Sequence, residues 1–265
     1  MSGLLAEDPV VSVQDFGGRF ALDARSHVLK RLLLDGTYEA ELVGLCRQFV
    51  TPGRDAVDIG ANAGFFSVLL ANLLPADRVL AAEPSPAMAR RLRQNLERNG
   101  VGDRVVVFEG AVADCSGTVT LSGVVGNEEY GTIGHLAHPA AEAALAHPDA
   151  ESSALTVVAE TLDALVETHD LRPGLLKVDT EGAEMLVLAG GRDTLRNHRP
   201  VLICEMDDVL LRANGTSAVE LVLMLQELGY HVLDPFTRGH PPVTRGQLET
   251  PHVVPDVLCL PGEAG

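Results

Sequence analysis

From Asp55 onward the chain switches repeatedly between two hydrophobic periods. Short runs rich in Val, Ile, Leu and Ala read as strands at Ala56–Ile59, Arg78–Ala82, Val105–Glu109, Leu175–Val178, Val201–Glu205, His231–Leu233 and Val257–Leu260. Longer amphipathic stretches between them read as helices at Gly64–Leu74, Pro86–Asn99, Gly182–Asn197 and Ser217–Leu228. Local signals mark several ends. Ser85 followed by Pro86 is an N-cap with a first-turn proline, Gly100 stops the helix ending at Asn99, and Pro200 opens the fifth strand. Strands alternating with helices predict an α/β fold built on a doubly wound parallel sheet.

Two regions stand outside this alternation. Residues 1–54 carry an expected hairpin, Val10–Val13 and Arg19–Leu22 around Gly17-Gly18, plus helical segments. They are expected to form an N-terminal cap on a main domain spanning 55–265. Between about 123 and 153 runs Gly126-Asn127-Glu128-Glu129-Tyr130-Gly131 and then a stretch rich in Ala, His and Pro. A connection of that length is functional or disordered in most compact domains, and a substrate-facing lid is the reading preferred here.

Composition narrows the partners. With 265 residues and 46% hydrophobic content, the chain can bury one sizeable core. The net charge is −17, the only lysines are Lys30 and Lys177, and the arginines are scattered. Nucleic acid and anionic membranes attract clustered cations, so neither is expected as a partner. Cys46, Cys115, Cys204 and Cys259 lie far apart with no C-x-x-C pair. Free thiols and a cytoplasmic setting follow as expectations, as no signal-like or membrane-spanning run is present. His135, His138 and His147 have ligand-like spacing, but Pro139 and Pro148 interrupt any helix there, and no metal site is expected.

The chemistry concentrates in Ala56-Val57-Asp58-Ile59-Gly60-Ala61-Asn62-Ala63-Gly64-Phe65. An apolar strand ends in a glycine turn that opens a helix, the local form of a cofactor site at the carboxyl edge of a parallel sheet. A dinucleotide fingerprint would need glycines at Asn62 and Phe65, and neither is one. The pattern D-x-G-x-N-x-G resembles motif I of class I S-adenosylmethionine-dependent methyltransferases. The segment Lys177-Val178-Asp179-Thr180-Glu181-Gly182-Ala183-Glu184 is similar to the K-x-D-x-E-G-x-E signature of the FkbM-type family, and Gly36–Glu39, Glu83-Pro84 and Glu160–Asp163 agree with it. That resemblance implies a seven-stranded Rossmann-like methyltransferase sheet with an antiparallel last strand and a small N-terminal cap. It also implies S-adenosyl-L-methionine as cofactor and S-adenosyl-L-homocysteine as product.

Site expectations follow residue by residue. The turn through Asp58, Gly60, Ala61, Asn62, Gly64 and Phe65 is expected to lie against the methionine portion, with the glycines providing clearance. Glu83, 23 residues after Gly60, stands where nucleoside-binding folds place an acid on the ribose hydroxyls, with Pro84 beside it. Gly110 and Ala111 are expected beside the adenine. By resemblance Tyr38 and Glu39 line the amino-acid end. Asp179 and Glu181 are the expected catalytic acids, for acceptor binding or proton removal, and Asp179 also borders the cofactor; a catalytic role for Glu184 is disfavoured. Mg²⁺ at Asp179 and Glu205 is conceivable but not predicted. The implied activity is O-methylation of a hydroxylated small molecule, a natural product or sugar, by a monomer or homodimer. Alternatives are N- or C-methylation of another acceptor, a non-catalytic binding module, or a nucleotide-dependent oxidoreductase, which the glycine spacing disfavours.

Overall fold

A computed structural model describes residues 8–24, 26–124, 132–133, 152–248, 250 and 256–262. The chain opens with a hairpin, β1 (Val10–Val13) and β2 (Gly18–Ala21), turned by a short 3-10 segment and Gly17 in the left-handed region. Helices α1 (His27–Asp35) and α2 (Ala40–Phe49) lead to the main sheet. That sheet contains β3 (Asp55–Ile59), β4 (Val79–Ala82), β5 (Val105–Phe108), β10 (Pro173–Val178), β11 (Val201–Glu205), β12 (Tyr230–Leu233) and β13 (Asp256–Pro261). Their order is β12-β13-β11-β10-β3-β4-β5. All run parallel except β13, which is antiparallel to both neighbours, as the resemblance implied.

Period-two alternation sorts the strand residues onto two cores. Val57, Ile59, Leu176, Val178 and Leu202 face α5 (Leu162–Thr168), α6 (Glu184–Ala189), α7 (Arg192–His198), α8 (Asp208–Ala213) and α9 (Ala218–Glu227). Ala56, Ala81, Leu175 and Ile203 face α2, α3 (Phe65–Leu73) and α4 (Pro86–Arg98). Phe16 and Phe20 of the hairpin are fully buried in this second core. Burying such rings stabilises by roughly 1.5–3 kcal/mol each. Asn95 of α4 ties the hairpin to the motif turn: Oδ1 accepts from Ala21 N (2.8 Å) and Nδ2 donates to Ala63 O (2.9 Å).

Three features differ from the sequence reading. The helix expected over Gly182–Asn197 is two helices broken at Gly190-Gly191. A Cβ at Gly190 would run into the Ala113 carbonyl and one at Gly191 would meet Leu162 Cδ2 at 2.6 Å, so the chain needs glycine to pass this close. A second sheet, in the order β6-β9-β7-β8, also went unread: β6 (Ala111–Ala113), β7 (Gly117–Val124), β8 (Thr132–Ile133) and β9 (Ser152–Thr161). Strands β7 and β9 pair from Gly117↔Ala159 to Val124↔Ser152, so the long connection springs from the end of a ladder. Most of the expected lid, and His135, His138 and His147, lie outside the described residues. Finally, α5 and α8 were not foreseen, being only 7 and 6 residues long. Too few turns show a helical period there.

Candidate active site

The carboxyl ends of β3, β4, β10 and β11 open into a cavity of about 830 Å³. That lies in the upper part of the roughly 300–1,000 Å³ range of small-molecule sites. Residues before α2 cover one side, and Leu121, Ile133 and Phe236 add apolar wall. Of the expected site residues, Tyr38, Glu39, Gly60, Asn62, Glu83, Pro84, Gly110, Ala111, Asp179 and Glu181 line this one cavity.

Asp58, Ala61, Gly64 and Phe65 do not line it. Asp58 is buried, accepting a hydrogen bond from Ser67 Oγ at 2.6 Å. Phe65 stacks on Phe20 with ring centroids 4.2 Å apart. The clearance expected from the glycines is filled by protein. Gly60, at φ +81°, faces the Asp179 carbonyl where a Cβ would stand, and Gly64, at φ +90°, faces Leu92 Cδ1 at 2.6 Å. The turn's amides are occupied as well. Gly60 N and Ala61 N donate to Ala82 O, Gly64 N to Ala61 O, and Ala63 N to Asn62 Oδ1. The motif therefore locks β3, β4 and β10 together and presents Gly60 and Asn62 to the ligand space.

Glu83 is the best-fixed acid. Oε2 accepts from Asn62 N and Oε1 from Ser85 N, both at 2.8 Å. Burial raises its pKa to about 7 despite these two bonds. Each carboxylate oxygen keeps lone pairs for further donors.

The other end of the cavity is dense in carboxylates. Asp179, Glu181, Glu205, Asp256 and Glu39 line it. Among the described lining residues Arg31 is the only Lys or Arg. Burial, and then the Asp179 charge, pushes Glu181 and Glu205 well above the usual carboxylate range and Asp256 up to about 7. Burial is also the main cause raising Glu39, with Lys177 opposing it. Glu39, Asn62 and Glu181 all have left-handed backbone, at φ 46°, 48° and 55°. Strained positions of this kind gather where surrounding structure over-determines them, notably at functional sites. Glu184 faces inward instead, its Oε1 accepting from Thr180 N, Thr180 Oγ1 and Gly182 N. It builds the loop that holds Glu181.

Sequence reasoning assigned no role to Asp256, Phe236, Arg31 or Lys177. Asp256 arrives because β13 is antiparallel, so its first residue lies at the edge where the parallel strands end, opposite Glu205. No local pattern signals that. Lys177 stood in the recognised signature, and its alternation with Asp179 was the available clue.

A parallel sheet with a glycine turn on its first strand, a carboxylate ending the next and a cavity across both defines a nucleoside-cofactor-binding α/β domain. The chain belongs to the methyltransferase FkbM domain family, whose model matches residues 58–232. It is 31% identical over 195 residues to 31-O-demethyl-FK506 methyltransferase FkbM of Streptomyces tacrolimicus, covering 63% of this chain and 74% of that protein. Similarity to 2-O-methyltransferase NoeI of Sinorhizobium fredii is 29% over 152 residues, covering 56% and 61%. Similarity to the AMB antimetabolite synthetase AmbE of Pseudomonas aeruginosa is 25% over 236 residues, 80% of this chain but 11% of that protein. The chain thus spans a minor part of AmbE and under two thirds of NoeI. The crystal structure of methyltransferase FkbM from Methylobacillus flagellatus superposes with a TM-score of 0.50 at 18% identity, covering 80% of this chain and 44% of that one, and shows the shared fold.

Membership makes S-adenosyl-L-methionine the cofactor and S-adenosyl-L-homocysteine the product. The donor set fits a cationic nucleoside: a carboxylate fixed by two main-chain donors and an acid-rich wall in the same cavity. No helix among the described residues is long and apolar enough to cross a membrane.

Proposed function

We propose that this domain transfers the cofactor's methyl group to a hydroxyl oxygen of a small molecule, a natural product or a sugar. The observation that carries the reading is the single cavity joining Glu83 and Asn62 to the acids Asp179, Glu181 and Glu205. Two relatives, FkbM and NoeI, are named for transfer involving oxygen.

Bound S-adenosylmethionine supplies a sulfonium methyl open to in-line displacement. Glu83 anchors the ribose hydroxyls, and the surrounding turn sets how far the cofactor reaches toward β10. Asp179, ion-paired to Lys177 at 2.7 Å, suits the anchoring of a cationic group. Glu181 suits proton removal, because a carboxylate with a raised pKa is the stronger base. A sulfonium cation beside it favours its ionised form. Holding sulfur, methyl and oxygen in line contributes more than the base, since orientation is worth about 7–11 kcal/mol and a base about 10²–10⁴-fold.

Incubation with methyl-labelled cofactor and a panel of hydroxylated metabolites tests the reading by mass spectrometry. Gain of one methyl on oxygen is expected. Transfer to nitrogen or carbon instead overturns the acceptor assignment. Cofactor binding with no transfer to any acceptor class favours a binding module.

A further inference from the structure

We propose that Lys177 is a positioning residue whose buried ammonium holds Asp179 as a fixed anion at the cavity wall, facing the α-ammonium of the cofactor. The inference rests on the cofactor reading above. It begins with the strand period: residues two apart on β10 share a face, so Leu175, Lys177 and Asp179 all point toward α2 and α3. Lys177 pairs in register with Asp58 on β3, which faces the same way. Its side chain is 4% exposed, against 32% for Asp179. Nζ lies 2.7 Å from Asp179 Oδ2 and 4.5 Å from the centre of the Phe66 ring, a cation–π contact.

Among the described residues Lys177 is the only Lys or Arg that is buried. Removing an ammonium from water costs several kcal/mol unless good partners offset it. Leucines occupy the two preceding positions of β10, and an apolar side chain at 177 would avoid that cost. Burial opposes the Lys177 charge, but Asp179, Asp58 and Glu39 outweigh it and keep the group protonated. The groups facing the pair come from several elements: Asp58 on β3, Glu83 after β4, Tyr38, Glu39 and Cys46 at α2, Glu181 after β10, Glu205 on β11 and Asp256 on β13. All are carboxylic acids, a phenol or a thiol. Without the ammonium, Asp179 loses the cation that fixes Oδ2 and keeps the surrounding acids as neighbours, so its carboxylate is no longer held in one orientation.

The test is calorimetric titration at one pH with S-adenosyl-L-homocysteine, which keeps the α-ammonium, and with 5′-methylthioadenosine, which lacks it, for wild type, Lys177→Met, Lys177→Arg, Asp179→Asn and the double variant Lys177→Met with Asp179→Asn. The expected ratio of Kd between Lys177→Met and wild type is about tenfold for S-adenosyl-L-homocysteine and close to one for 5′-methylthioadenosine. Lys177→Arg restores the charge and most of the affinity. Asp179→Asn weakens binding in wild type and adds little to Lys177→Met. An equal loss for both ligands marks a merely structural lysine and overturns the proposal, as does full additivity of the two substitutions. If Lys177→Met does not fold, an equal loss for both ligands in Lys177→Arg overturns it. Wild type that fails to bind S-adenosyl-L-homocysteine defeats the cofactor reading itself, a result distinct from these.

Discussion

Replacing Glu83 by alanine tests the proposed ribose anchor. Its carboxylate is held by two main-chain donors at 2.8 Å and is 6% exposed, so it waits in place without rearrangement. Hydrogen bonds to a charged acceptor contribute about 1.5–3 kcal/mol, which predicts a loss of roughly 10- to 150-fold in S-adenosyl-L-homocysteine affinity at pH 8. The pH dependence sharpens the test. With a ligand-free pKa near 7, the carboxyl is ionised at pH 8, and donation from two hydroxyls favours that form. Wild-type affinity therefore falls as pH drops below about 7, through this group by at most about tenfold per unit. Glu83→Ala lacks this component, although Asp256 titrates nearby in both proteins. Calorimetry from pH 5.5 to 8, with thermal melts confirming the fold, reads both effects. A folded variant with unchanged affinity, or with an unchanged pH profile, refutes the assignment.

Once an acceptor is found, Glu181→Gln is expected to lower kcat by about 10²–10⁴-fold with little change in cofactor affinity; unchanged kcat removes Glu181 as the base. Gly60→Ala places a Cβ against the Asp179 carbonyl at a left-handed position and is expected to destabilise by about 3 kcal/mol or more, read by denaturant unfolding. The ligand-free protein should be more stable near pH 5.5 than at pH 8. Raised folded-state values favour the protonated acids, so stability present below the unfolded pKa is lost as pH rises through about 7. For Glu83, a rise from 4.5 to about 7 amounts to about 3 kcal/mol in full, of which about 2 kcal/mol falls between pH 5.5 and 8. Saturating S-adenosyl-L-homocysteine should flatten that slope, and melts at both pH values with and without ligand check it.

Much of this was legible along the chain, because strand runs, caps and turn residues act within a few positions. The seven strands, the turn after β3 and the acid ending β4 all depend on such local rules. The helix break at Gly190-Gly191 did not, because its causes are the backbone of β6 and the Leu162 side chain, both far away in sequence. The second sheet was hidden for a related reason: β7 and β9 are joined across a long connection, and pairing at that separation leaves no local period.

The sequence by itself determined the order of the seven main-sheet strands, the family signature and most of the acids available to the site. Tertiary structure decided what those residues meet. Gly60 and Gly64 make room for the Asp179 carbonyl and Leu92, Asp58 turns inward, and an antiparallel last strand delivers Asp256. Only strand order and register place Lys177 between Asp58 and Asp179. Periodicity is written in neighbouring residues, whereas contacts between distant ones exist only after the sheet has closed.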